Sequence, residues 1–155
     1  TNITRSVFEM YEIDDKKDFS NAIVGKKIDS TYLIKSLFEH ANNGDLPAIS
    51  VLETSGEHMA RSIAGVIKEL NIKEPINVIL AGSVWAKATN FAMLNKFKKV
   101  VCELSNKKCN FIVLKEPPVL GAILWALELA NGELPDKELK AKVLENIINY
   151  QNSIN

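Results

Sequence analysis

Asn77-Val78-Ile79-Leu80-Ala81-Gly82-Ser83-Val84-Trp85 reads as a short β-type apolar run ended by a Gly-Ser turn, with a long amphipathic helical pattern behind it. Strand, glycine turn and helix in that order bring backbone amides and a helix N-terminus to one point. That arrangement favours a phosphate, an adenosine or another polar ligand. The run is apolar through Val78-Ile79-Leu80 without alternation, the pattern of a strand buried on both faces.

Downstream, the helical period runs from Ala86 to about Leu104, with Phe91, Leu94, Phe97, Val101 and Leu104 on one side. Lys96, Lys98 and Lys99 form a basic run on its outer side and read as solvation. Asn110-Phe111-Ile112-Val113-Leu114 is a second strand, again apolar throughout. A helical crossover between two strands implies that they are parallel. Two strands make a poor sheet by themselves, so further strands are expected beside them, from a longer parent or a partner chain. Glu116-Pro117-Pro118 sets the entry to a helix over about Val119 to Ala130. That helix is apolar nearly all round and is expected to be buried on several sides, with Gly121 and Ala122 allowing a neighbouring backbone close. Asn131-Gly132 ends it. Pro135 opens a last amphipathic helix with Leu139, Val143, Leu144, Ile147 and Ile148 facing inward.

Upstream, Ile3 to Tyr11 reads as a short helix, residues 14–18 as a solvated charged turn, and Phe19 to Val24 as an apolar patch stopping at Gly25. Lys26-Lys27 reads as an exposed loop rather than an anion site. Asp29-Ser30-Thr31 offers a helix N-cap, and the helix runs to about Asn43 with Leu33, Ile34, Leu37, Phe38 and Ala41 as its buried stripe. Gly44 suits the left-handed residue after a helix, and Asp45 caps the next one. Pro47 falls in the first turn of that second helix, from Leu46 to about Leu70. Its apolar positions are Ile49, Leu52, Met59, Ile63, Val66, Ile67 and Leu70. Ala48, Gly56, Ala60, Ala64 and Gly65 keep parts of its surface thin, so another element can approach.

With 155 residues, the chain has the length of one domain or one lobe of something larger. At 46% hydrophobic and 25% charged it can bury a core. Nineteen basic residues cancel nineteen acidic ones, which gives no electrostatic reason to propose nucleic acid or an anionic membrane as partner. No apolar run approaches transmembrane length, and the polar opening Thr1-Asn2-Ile3-Thr4 is not a signal peptide. Cys102 and Cys109 are too few for a disulfide scaffold, and His40 and His58 lie far from them, so no zinc site is expected. A cytoplasmic location is the expectation. The absence of an initiator Met fits a fragment or a removed Met equally.

The glycines stand singly, so the sequence holds no Gly-x-Gly loop and no Walker-type motif. Ser83 lies on a strand-to-helix turn, but the second glycine of Gly-x-Ser-x-Gly is missing, and both histidines read as exposed helix residues rather than as its base. Read from the residues, the chain holds half of a binding site and no catalytic centre.

Three segments together resemble the N-acetylglucosamine kinases, within the BadF/BadG-type ATPases of the actin, sugar-kinase and heat-shock ATPase superfamily. Val78-Ile79-Leu80-Ala81-Gly82-Ser83-Val84-Trp85 resembles the adenosine-binding segment. His40-Ala41-Asn42-Asn43-Gly44-Asp45-Leu46-Pro47-Ala48 is similar to the helix–Gly-Asp–helix element, and Pro117-Pro118-Val119-Leu120-Gly121-Ala122 to the proline and Gly-Ala at the head of a buried helix. The resemblance covers about Ser30 to Gly132, and its Gly-Ser-Val-Trp tetrad favours the amino-sugar kinase branch.

The resemblance implies an α/β fold: a partial ribonuclease-H-like, helix-rich lobe with a short parallel sheet of about two strands, residues 1–155 forming the C-terminal, adenosine-side lobe of a two-domain kinase truncated at its N-terminal side. It implies that Gly82 and Ser83 lie under the adenosine of ATP, that Val84 and Trp85 begin the helix beside it, and that the helix start at Thr31 flanks the adenine. The family's two phosphate loops and catalytic aspartate have no match, so the chain alone is expected to be inactive, with ATP and Mg acting through the intact parent. That parent would transfer the γ-phosphoryl group of ATP to a sugar hydroxyl, that of N-acetylglucosamine. The expected partners are a nucleotide and, through the missing lobe, an amino sugar; nucleic acid and membrane are not expected, and a homodimer is left open. The alternatives are a BadF-type activator ATPase fragment and a standalone, non-catalytic interaction module built on the strand edges and the Trp85 region.

Overall fold

The computed structural model describes residues 1–25 and 29–154, which divide into two compact units, residues 1–112 and 113–155. The pair Lys26-Lys27 lies outside the described residues. The chain is helix-rich, with a short two-stranded parallel sheet. In the first unit α1 (Asn2–Met10) and α2 (Lys16–Val24) precede α3 (Ser30–Asn42) and α4 (Leu46–Glu69). The apolar patch at Phe19 to Val24 is thus part of a helix, and Phe19 stacks on Phe8 with ring centroids 5.9 Å apart. Asp29 caps α3 by accepting from the Thr31 N–H at 2.8 Å. Gly44 takes φ +80, and Asp45 then caps α4 at the Ala48 N–H while its other oxygen accepts from the Ile3 N–H at 3.1 Å. One carboxylate therefore ties the start of α1 to the start of α4.

β1 (Ile76–Leu80) leads through Gly82 into α5 (Ser83–Ala86), a single turn. α6 (Ala92–Ser105) follows, and β2 (Cys109–Val113) pairs with β1. The helix expected from Ala86 is therefore broken over residues 87–91. The break has a local cause: Asn90 Oδ1 accepts from the Ala92 N–H at 2.9 Å, an Asx turn from which the chain enters a new helix.

The most extensive packing is α4 on α6. It uses the thin face of α4: Ala48, Leu52, Gly56, Ala60, Ala64 and Ile67 are buried, at steps of three and four, whereas Met59, Val66 and Leu70 are exposed. The close approach expected at the thin surface is found at Ala48, Gly56, Ala60 and Ala64, while Gly65 is exposed and, of the larger apolar positions, Leu52 and Ile67 are buried. Small side chains let the α6 backbone close in, which lifts the bulky neighbours away from the contact. Phe97 and Val101 of α6 are wholly buried, and Phe97 meets Phe111 edge to face at 5.9 Å. Phe91 is exposed, since it stands before the helix rather than on its inner stripe.

β1 alternates: Ile76, Val78 and Leu80 are buried, while Asn77 and Ile79 are exposed, Ile79 by 50%. The expectation of burial on both faces is corrected; in this chain the apolar run is covered on one face only.

In the second unit α7 (Pro118–Asn131) and α8 (Lys137–Ile154) pack on each other. Gly132, at φ +79, stops α7. The expectation that α7 is buried on several sides is not met: Leu120 is its buried residue, and Trp125 is 66% exposed. A β-carbon placed on Gly121 would meet nothing within 4 Å, so no backbone uses the gap it leaves. On α8, Leu139 and Ile148 are also exposed. Among the described residues no helix is long and apolar enough to cross a membrane.

Candidate functional site

The capped start of α3 and the glycine turn after β1 border the same cleft, of about 720 Å³. Its wall on α3 includes Thr31, Ile34, Phe38 and Asn42; its other wall includes Ser83, Val84, Ala88 and Thr89. The break between α5 and α6 makes the second wall. A continuous helix from Ala86 would carry Ala88 and Thr89 along the helix surface, whereas the interrupted chain turns them toward α3.

Apolar contact comes from Ile34, Phe38, Val84 and Ala88. Phe38 also belongs to the core cluster with Ala41, Ala48, Leu52 and Met93, against which Val84 and Ala88 pack. The floor of the cleft is therefore the surface of the core. Polar groups stand around it: Lys35, Glu39, Asn42, Asn43, Lys87 and Thr89. This mixture suits a ligand with one flat apolar part and a polar edge.

Gly82 has φ +111 and ψ 160, a backbone region that side chains rarely enter, and a β-carbon there would meet nothing within 4 Å. The turn is thus unfilled by the protein's own side chains. α5 carries no side-chain cap. At α3, by contrast, the Thr31 N–H is already taken by Asp29, so Thr31 has its side chain to offer.

Of the five residues singled out in the sequence, Thr31, Ser83 and Val84 meet in this cleft. Gly82 lies at the turn that leads into it. Trp85 points elsewhere: it is half-buried, its ring centroid is 5.2 Å from that of Phe97, and it lines a separate apolar hollow with Met59, Ile63 and Leu80.

Sequence reasoning missed Asn42, Thr89 and Asn90. Asn42 donates to the Thr89 hydroxyl at 3.0 Å and accepts from Asn90 at 3.1 Å, joining α3 to the interrupted segment. The available signal was Thr89-Asn90, a β-branched residue and a capping residue set within an otherwise helical pattern.

Neither His40 nor His58 lines the cleft, so Ser83 has no imidazole partner there. Among the described residues no group of three or more His, Cys, Asp or Glu side chains could hold a metal ion. Among the described residues, the groups with clearly displaced proton affinity also lie away from the cleft. The Arg61 and then the Lys96 hydrogen bonds hold Glu57 below the usual carboxylate range, and burial pushes the Cys109 thiol up.

The ROK family profile matches residues 20–128, well over half of the chain, and the chain belongs to that family. The family lies within the actin-like ATPase and sugar-kinase superfamily and includes sugar kinases and repressors. The match supports the expected actin-like ATPase and sugar-kinase superfamily; the BadF/BadG-type branch within it is not shown. No curated protein and no solved structure matches the chain.

Proposed function

We infer that this member of the ROK family is the adenosine-side lobe of an ATP-dependent sugar kinase, and that the cleft between α3 and α5 takes the nucleoside part of ATP. One observation carries the reading: Thr31 and the Ser83-Val84 pair, far apart in sequence, line a single cleft beside an unfilled glycine turn. Its volume and its apolar floor with a polar rim fit a purine nucleoside. Membership of a family that includes sugar kinases supports the same reading.

Magnesium commonly rests on one or two carboxylates together with ATP phosphates and water, and among the described residues no larger group of His, Cys, Asp or Glu side chains is present. Phosphoryl transfer needs phosphate clamps, metal and a base held together. We assign these, and the acceptor sugar, to a second lobe that pairs with this one. The acceptor we propose is an amino sugar, N-acetylglucosamine, because the Gly82-Ser83-Val84-Trp85 tetrad resembles that branch. Cys102 and Cys109 stand on α6 and β2, away from the cleft, so nothing about their placement favours an iron–sulfur activator.

The test is ADP release by the intact parent offered N-acetylglucosamine, glucose or no sugar, alongside nucleotide binding by this chain. Sugar-dependent ADP release favouring N-acetylglucosamine is the expected result. Release without sugar would point to an ATPase, and no nucleotide binding by chain or parent would overturn the reading.

A further inference from the structure

The far rim of the cleft has a polarity fixed by a relay of hydrogen bonds that begins at a backbone donor. The Ala92 N–H can only donate, and it gives its proton to Asn90 Oδ1 at 2.9 Å. The other end of the Asn90 amide is then its NH2 group, which donates to Asn42 Oδ1 at 3.1 Å. Asn42 is oriented in turn, and its own Nδ2 donates to the Thr89 hydroxyl at 3.0 Å. Thr89 Oγ1 is thereby an acceptor within the relay, and its hydrogen is left to donate outward. Asn42 and Thr89 line the cleft, whereas Asn90 is not part of its wall.

We propose that Thr89 is a specificity-determining residue, a hydroxyl held as a donor that selects ligands presenting a hydrogen-bond acceptor to it, and that Asn90 is the positioning residue that sets this polarity through Asn42. The inference rests on the nucleoside reading of the cleft, since a purine nucleoside offers such acceptors in its ring nitrogens and ribose oxygens. Thr89 is exposed in the open cleft, so water satisfies its hydroxyl there; a ligand that covers it without offering an acceptor displaces that water and leaves the donor unpaired.

The relay makes an unusual demand on Asn90. In Asn90→Asp, one carboxylate oxygen still accepts from the Ala92 N–H, so the Asx turn that leads into α6 is kept. The other oxygen cannot donate. Asn42 must turn its NH2 toward it and face Thr89 with Oδ1, and Thr89 then gives its hydrogen to Asn42 and loses its donor to the cleft. A residue serving only to hold that turn would be replaced by Asp without effect.

The test is calorimetric titration of the whole chain with adenosine, which is uncharged and so insensitive to the added carboxylate. Asn90→Asp and Thr89→Val each weaken adenosine by about tenfold or more, Thr89→Ser stays within about twofold, and the melting temperatures of all three remain close to that of the unaltered chain. Asn90→Asp binding within twofold of the unaltered chain overturns the relay, as does a Thr89→Val variant that binds normally. If the unaltered chain binds no adenosine, the nucleoside reading falls by itself. The relay is then decided by the side-chain amide resonances of Asn42: they move in Thr89→Val and Asn90→Asp if it exists, and an unmoved signal overturns it.

Discussion

Gly56 of α4 lies directly against the carbonyl oxygen of Met93 in the first turn of α6, so closely that a β-carbon on Gly56 would run into that oxygen. The obstacle is backbone and cannot swing aside as a flexible side chain would. Overpacking of this kind costs about 1–3 kcal/mol, and replacing a helical glycine by alanine returns about 1 kcal/mol at most. Gly56→Ala is therefore expected to destabilise the chain, by up to about 2 kcal/mol.

Gly65 in the same helix and Gly121 in α7 give the opposite sign. A β-carbon at either would meet nothing within 4 Å. Gly65→Ala and Gly121→Ala are expected to stabilise by about 0.5–1 kcal/mol through the loss of backbone freedom in the unfolded chain. Denaturant midpoints of the three variants check both statements, and a destabilised Gly65→Ala would show that α4 is approached on a face left open here.

The cleft can be tested without disturbing the backbone. Gly82 is a poor choice: its φ of +111 means that Gly82→Ala strains the turn by about 1–3 kcal/mol despite the open space around it. Ile34 is better, because it lines the cleft from a regular helix and is partly exposed. Ile34→Glu is expected to weaken nucleotide binding by about tenfold or more while changing stability by about 0.5 kcal/mol or less, since the carboxylate enters an apolar wall only when the ligand is there. Binding isotherms and thermal melts separate the two effects.

Glu57 links α4 to α6: its carboxylate lies 3.3 Å from the Lys96 ammonium and also accepts from Arg61 within α4. These partners lower its proton affinity in the folded chain below the ordinary value of 4.5. A lowered carboxylate contributes stability above the unfolded value and loses it as pH falls through the folded value. Glu57→Gln is therefore expected to melt below the unaltered chain near neutral pH, with the gap closing as pH falls through the lowered folded value, below 4.5. Melts in low salt across that range check it, and a gap that persists in acid would mean that packing, not charge, is responsible.

The elements legible in the sequence were those with their own local chemistry. Asp29 and Asp45 as caps, Gly44 and Gly132 as left-handed stops, Pro47 in a first turn and Gly82 in a strand-to-helix bend each depend on a few neighbouring atoms. Periodicity was less reliable. It ran unbroken from Ala86 to Leu104, because apolar spacing does not register a cap, and so the break at residues 87–91 that builds one wall of the cleft was invisible to it. On α4 the sequence offered a bulky stripe and a thin one, and only the approach of α6 decides between them. The apolar residues of β1 and α7 suggested burial that this chain does not supply, as Ile79 and Trp125 show. Hydrophobicity records what a surface favours, not whether a partner is present.

The most direct test of the account is an amide NMR titration of the whole chain with ADP. The nucleotide reading predicts shifts clustered at residues 31–43 and 82–89, with the amides of α8 unmoved. Shifts centred on the hollow around Trp85 and Met59, or none at millimolar ADP, would contradict it.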